Sequence, residues 1–168
     1  SQALPQRYLL LAALADRPSV LDGASDALDC RQLMAALERL GVRFDNGPNG
    51  ELTVDPAAFP TPDPGPIDCG EGGTTTRFLA ALSLVVGPLT LNLGERMALR
   101  PMEGLLDALG HLGVTVRRPR PDRIELEPGD PGDVGVVEVP MDETSQFASA
   151  LALVASRMEQ GLEIRMTG

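Results

Sequence analysis

Glycines, hydroxyls and arginines gather at three places in this sequence. The run Gly70-Glu71-Gly72-Gly73-Thr74-Thr75-Thr76-Arg77 leads into an apolar stretch. Gln6-Arg7 leads into a second, and Glu143-Thr144-Ser145-Gln146 into a third. At a helix start, backbone N–H groups lack partners and carry partial positive charge, so residues of these types there can hold a phosphate or a carboxylate. Alone, the glycine–threonine run reads equally well as a loop plus a helix cap. Three matching placements favour the anion site. Arg96 and Arg100, in Glu95-Arg96-Met97-Ala98-Leu99-Arg100-Pro101, lie between a strand and a helix. Such arginines are more often a solvated pair than a guanidinium fork on an anion, and the residues alone favour the solvated pair. His111 is the single histidine and aligns with Arg39 on the polar side of a helix, as a surface residue does. Metal sites built on His or Cys and Ser-His-Asp triads therefore lack support. Asp29 is expected to cap its helix.

An internal repeat positions these residues. Leu33, Met34, Leu37, Leu40, Gly41 and Val42 match Leu105, Leu106, Leu109, Leu112, Gly113 and Val114 at an offset of 72, as Leu52 and Val54 match Ile124 and Leu126. Arg77-Phe78 with Ala81-Leu82 matches Gln146-Phe147 with Ala150-Leu151 at an offset of 69. Each unit opens on a helix apolar nearly all round, over residues 8–15, 78–86 and 147–155, which belongs inside a domain. A short strand follows, at 19–21, 89–93 and 162–166. Next comes an amphipathic helix, at 29–40 and 101–112, with Pro101 in its first turn and Gly41 and Gly113 as C-terminal caps. Hairpins close the units: 42–44 with 52–54, and 114–117 with 124–126. Residues 56–66 and 128–133 are connectors.

The pattern is thus an α/β (α+β) chain of β-α-β-β units, each preceded by a buried helix. It reads as one domain over 1–168, with units at about 1–56, 67–128 and 134–168, the third incomplete. Two and a half units leave apolar surface bare, so a partner domain or a longer protein is expected. The initial Ser fits a processed or truncated piece.

Composition narrows the function. The 168 residues are 43% hydrophobic but include no Trp and one Tyr, so the core is aliphatic. A formal net charge of -10 argues against nucleic acid but not against a small anion held by placed arginines. Cys30 and Cys69 form no metal-spaced pair or disulfide framework, and the longest apolar run, 8–15, is too short to span a bilayer. A cytoplasmic protein with no membrane partner is expected.

Four motifs carry a family resemblance. Gly70-Glu71-Gly72-Gly73-Thr74-Thr75-Thr76-Arg77 resembles the Gly-Asn-Ala-Gly-Thr-Ala-x-Arg signature of the 3-phosphoshikimate 1-carboxyvinyltransferase (EPSP synthase) family of enolpyruvyl transferases. Arg96-Met97-Ala98-Leu99-Arg100-Pro101 is similar to its Arg-Met-x-x-Arg-Pro segment, and Ser145-Gln146-Phe147 to its Ser-Ser-Gln-Phe stretch. Residues 1–14 resemble its opening Ser-Lys-Ser-x-Ser-x-Arg-x-Leu-Leu-Leu-Ala-Ala-Leu. The resemblance implies one domain of a two-domain, inside-out α/β barrel, built of β-α-β-α-β-β units around three buried parallel helices. It implies transfer of an enolpyruvyl group from phosphoenolpyruvate to shikimate 3-phosphate in aromatic amino-acid biosynthesis, with no metal or cofactor. Arg7, Thr144, Ser145 and Gln146 would hold the shikimate phosphate. Gly73 and Arg96 would contact phosphoenolpyruvate, with Thr74 and Arg100 nearby. No catalytic residue is expected within this chain, because the family's acid–base Asp and Glu come from the other domain.

The departures are specific. Gln2 stands at the family's opening Lys, Ala3 at the next Ser and Pro5 at the third. An amide lacks the point charge with which a Lys holds phosphate. The isolated chain is therefore expected to be inactive, and the alternative is a non-catalytic anion-binding or interaction module derived from the same fold. A phosphate-end cyclase, also built of β-α-β-β repeats, would lack the Ser-Gln-Phe and Arg-Met motifs together.

Overall fold

In the computed structural model, residues 3–23, 28–129, 136–140, 145–158 and 161–167 are described. Nine strands and five α-helices follow one another there: α1 (Ala3–Leu14), β1 (Ser19–Leu21), α2 (Leu28–Arg39), β2 (Arg43–Asn46), β3 (Leu52–Asp55), β4 (Ile67–Gly70), α3 (Gly73–Val86), β5 (Leu89–Leu93), α4 (Glu103–His111), β6 (Val114–Arg120), β7 (Arg123–Pro128), β8 (Val136–Pro140), α5 (Ser145–Ala155) and β9 (Glu163–Thr167). A short 3-10 turn, Met97–Leu99, precedes α4.

The repeat seen in the sequence is a repeat of burial. Leu33 and Leu105, Leu37 and Leu109, Leu40 and Leu112, and Val54 and Leu126 are all buried, pair by pair, while Met34 and Leu106 are both half-buried. It is also a repeat of topology. The first sheet has strand order β1-β3-β2, and the second, β4-β5-β7-β6, contains the same antiparallel arrangement with β4 added parallel to β5. In the third, β8 pairs in parallel with β9, as β4 does with β5. Helices α3 and α5 cross between these parallel pairs. The middle unit therefore runs β4-α3-β5-α4-β6-β7.

Helix α3 is the centre of the molecule. It is buried from Gly73 through Ser83 and packs against α1, α2, α4 and α5. Helix α1 also touches α5, and the Arg157 guanidinium donates to the Leu14 carbonyl, setting the C-terminal ends of those two helices together. The expectation of a wholly buried first helix is corrected here. Tyr8 is 51% and Leu11 43% exposed, because α1 packs by one face only.

Local chemistry explains the ends of the elements. Gly41 has φ +104°, its N–H donates to Glu38 O, and Val42 N–H donates to Leu37 O. This is a Schellman ending, in which a residue without Cβ takes the left-handed conformation. Gly113, at φ +92°, likewise takes the left-handed conformation after α4, its N–H donating to Gly110 O. Pro101 lies outside α4, against expectation. Arg100 before it is extended (φ -82°, ψ 146°), as the residue before a proline tends to be, so the helix starts only at Glu103. Asp29 falls within α2 rather than before it. The opening strands β4 and β8 are absent from the periodicity-based reading. Each is short, and β4 offers only Ile67 and Cys69 as buried side chains. No helix among the described residues is long and apolar enough to cross a membrane.

Candidate anion site at the start of helix α3

Strand β4 ends at Gly70, and the chain turns through Glu71 and Gly72 into α3. Gly70 has φ +58°, and a Cβ there would overlap the Gln32 side chain, so the turn needs glycine. Helix α3 thus begins beyond the carboxyl end of a parallel strand, where open α/β sheets commonly take ligands. The sequence reading placed Gly73, Thr74, Thr75 and Thr76 ahead of the helix. The structure makes them its first turn. Gly72 is the cap and supplies no side-chain acceptor. Thr76 Oγ1 turns back to donate to Gly72 O at 2.8 Å.

Two guanidinium groups converge on this turn. A Cβ built at Gly73 would lie 2.5 Å from Nη1 of Arg77 and 2.5 Å from Nη1 of Arg100. Glycine at 73 is what lets both approach the helix start. Arg77 is only 2% exposed, and its Nη2 donates to Pro101 O at 3.3 Å, which fastens α3 to the segment after Arg100. A buried guanidinium, an exposed one and a helix N-terminus sum to concentrated positive potential in a chain of net charge -10.

The loop bearing Arg96 and Arg100 is held from three sides. Gly94 N–H donates to Gly70 O at 2.9 Å, joining the loop to the end of β4. The Glu71 carboxylate lies 3.3 Å from Arg96 Nε and accepts the Arg96 N–H at 3.1 Å. From the end of β6, Arg118 Nη2 donates to Ala98 O at 3.0 Å and to Pro121 O at 2.9 Å. Arg96 itself is exposed and ion-paired, so the solvated-pair reading fits its surroundings better than Arg100's.

The other expected site residues divide. Arg7, the fifth residue of α1, is half-buried, and its Nε is buried without a partner among the described residues. Its neighbour Gln6 is 1% exposed, with Nε2 likewise unpartnered there. Thr74 is buried in the first turn of α3. Ser145 and Gln146 open the backbone of α5, which packs against α3, and Ala3 opens α1. Thr144 and Gln2 lie outside the described residues. The sequence reading included Glu71 and Arg77 in the glycine–threonine run without giving either a role, and it missed Arg118. Arg77 was within reach as the last residue of the glycine–threonine run. Other concavities stand apart from this cluster: one of about 440 Å³ includes Arg117, Arg123 and Glu125, and one of about 490 Å³ includes Asp107, His111 and Glu138.

The family model of EPSP synthase (3-phosphoshikimate 1-carboxyvinyltransferase) matches residues 1–168. The chain belongs to the EPSP synthase family. A 3-phosphoshikimate 1-carboxyvinyltransferase of Kocuria rhizophila is 38% identical over 177 residues, covering 98% of this chain and 39% of its own length. One of Opitutus terrae is 40% identical over 174 residues, covering 99% of this chain and 40% of its own length. The chain thus spans about two fifths of the curated relatives it matches. The solved EPSP synthase of Acinetobacter baumannii superposes with a TM-score of 0.78 at 17% identity, over 92% of this chain and 36% of that one. The fold is therefore that of one part of the EPSP synthase architecture, and the expected fold class holds.

Proposed function

We propose that this chain supplies one substrate-binding half of a cytoplasmic enolpyruvyl transferase that acts on phosphoenolpyruvate and shikimate 3-phosphate, working with a second domain. The observation that carries this reading is the convergence of Arg77 and Arg100 on Gly73 at the start of α3, in a chain whose whole length matches the family. In the reaction, a shikimate hydroxyl oxygen adds to the enol carbon, and phosphate leaves by elimination. The residues of this chain bind and orient. Arg96, Arg100 and the first turn of α3 (Gly73 and Thr74) hold the carboxylate and phosphate of phosphoenolpyruvate. Arg7, Thr144, Ser145 and Gln146 hold the phosphate of shikimate 3-phosphate. Fixing two anions side by side lowers the barrier by proximity, and the guanidinium groups offset charge that shifts on to the departing phosphate. The hydroxyl proton, and the proton that the methylene carbon gains in the addition and loses in the elimination, pass through groups of the second domain.

Calorimetric titration of the folded chain with each substrate tests the assignment. Both ligands are expected to bind. Arg100→Ala should weaken phosphoenolpyruvate, and Arg7→Ala shikimate 3-phosphate, each by about 10- to 150-fold, as loss of a charge-assisted contact does. Binding of both ligands unchanged in both variants would refute the assignment.

A further inference from the structure

The segment that carries Arg100 runs over open surface. Leu99 and Arg100 are exposed, and of the turn Met97–Leu99 only Met97 is buried. A long exposed side chain holds an anion well only if its backbone is already fixed, because ordering it on binding costs entropy. Here guanidinium groups from two other elements fix that backbone on both flanks of Arg100. Arg77 Nη2 donates to Pro101 O at 3.3 Å, and Arg118 Nη2 donates to Ala98 O at 3.0 Å. Arg77 belongs to α3, the helix that Arg100 approaches. Arg118 comes from a different part of the chain, the end of β6.

Arg118 acts from a firm base. Its Nε and Nη2 both donate to Pro121 O, at 3.1 and 2.9 Å, which sets the guanidinium plane across its own hairpin. The hairpin is tied in turn to the end of β5, where Leu93 N–H donates to Asp122 O at 2.8 Å. Along the ladder, Arg117 pairs with Glu125 and Arg120 with Arg123, so Arg118 and Pro119 of β6 stand opposite Ile124 alone. A bulge of this kind re-aims a side chain, and Arg118 lies inside it.

We propose that Arg118 is a positioning residue for phosphoenolpyruvate binding: by holding the Ala98 carbonyl it keeps Arg100 at the start of α3. The proposal rests on the reading of Arg100 as a phosphoenolpyruvate ligand given above. Arg118 does not touch the ligand in this account. Its whole effect passes through Arg100.

Calorimetric dissociation constants on the full chain test this, with circular dichroism melting to check that each variant is folded. Arg118→Ala is expected to bind phosphoenolpyruvate about three- to ten-fold more weakly, the effect of one lost hydrogen bond from a charged donor, and to bind shikimate 3-phosphate as wild type does. In an Arg100→Ala background, Arg118→Ala should add no further loss, an outcome that neither a direct charge effect nor a general loosening of the fold would produce. Should Arg118→Ala fail to fold, Arg118→Met, which keeps the apolar stem and removes every donor, is expected to give the same loss. Unfolding of both would assign Arg118 to the fold and overturn the proposal. Wild-type affinity in Arg118→Ala, with weaker binding by Arg100→Ala, would overturn it and leave the substrate reading standing. A loss shared equally by both ligands, or one that persists in the Arg100→Ala background, would also overturn it. Wild-type affinity for phosphoenolpyruvate in Arg100→Ala, or no binding by wild type, would overturn the proposal and the reading beneath it.

Discussion

A thiol lies directly beneath the turn into α3. Cys69 is fully buried on β4, and burial pushes its pKa up to about 12, with a side-chain hydrogen bond between Cys69 and Thr76 opposing the rise and Asp68 adding to it. Thiolate is the reactive form, so this cysteine is inert while the chain is folded. In a Cys30→Ala background, an aromatic disulfide reagent at pH 8 should label Cys69 no faster than the protein unfolds; rapid labelling of the native state would contradict the burial. The same shift fixes a sign. Between pH 9.0 and about 12 the unfolded thiol loses its proton and the native one keeps it, so stability falls as pH rises through that window. Urea midpoints should therefore decline more between pH 8 and pH 10 in wild type than in Cys69→Ala. Residue types were legible in the sequence, but partnerships were not. Arg96 and Arg100 stood out by spacing alone, yet Glu71 lies 25 residues before Arg96, and Arg118 reaches Ala98 across 20. Such pairings exist only once β4, β5 and the β6–β7 hairpin lie side by side.

The elements that periodicity reveals are those with a continuous buried stripe. Helices α2 and α4 were readable because Leu33, Leu37 and Leu40, and Leu105, Leu109 and Leu112, recur at helical spacing on a polar background. The start of α3 was not. Glycine followed by three threonines is a poor helix former, and burial together with the Thr76 hydrogen bond to Gly72 O overrides that preference. Terminal glycines were the legible punctuation, and one of them, Gly41, makes the opposite prediction to Gly110 inside a helix. At Gly41, φ is +104° and a Cβ would overlap Ala58 O, so Gly41→Ala should cost at least about 1–2 kcal/mol. At Gly110, inside α4, a Cβ would meet nothing within 4 Å, so Gly110→Ala should add up to about 1 kcal/mol. Urea denaturation of the two variants measures both, and equal effects of the same sign would mean that backbone conformation at these two glycines does not set their stability.

At the scale of the molecule, the chain gathers two guanidinium groups at the start of its central helix while its net charge is -10. That arrangement favours a small anion held by placed groups over a broad basic surface for a polyanion. The repeat was legible throughout the chain, whereas the absence of a Lys at position 2 was legible only against the family pattern. Shikimate 3-phosphate and phosphoenolpyruvate both carry phosphate, and a family member lacking the opening Lys has one cation fewer to share between them. The remaining arginines can hold ground-state ligands, so the proposal separates binding from turnover. The 168-residue chain is expected to bind both substrates and release no phosphate from them, since the proposed acid–base groups belong to a second domain. Supplying the complementary part of a relative in trans should give slow turnover. Replacing Gln2 by Lys and Ala3 by Ser should then raise it by about ten-fold or more, the effect of one restored charge-assisted contact. Phosphate release by the assembled pair, with and without the two replacements, is the measurement. Equal rates would mean that a cation at position 2 is dispensable in this chain, and turnover by the chain alone would place the acid–base groups within it.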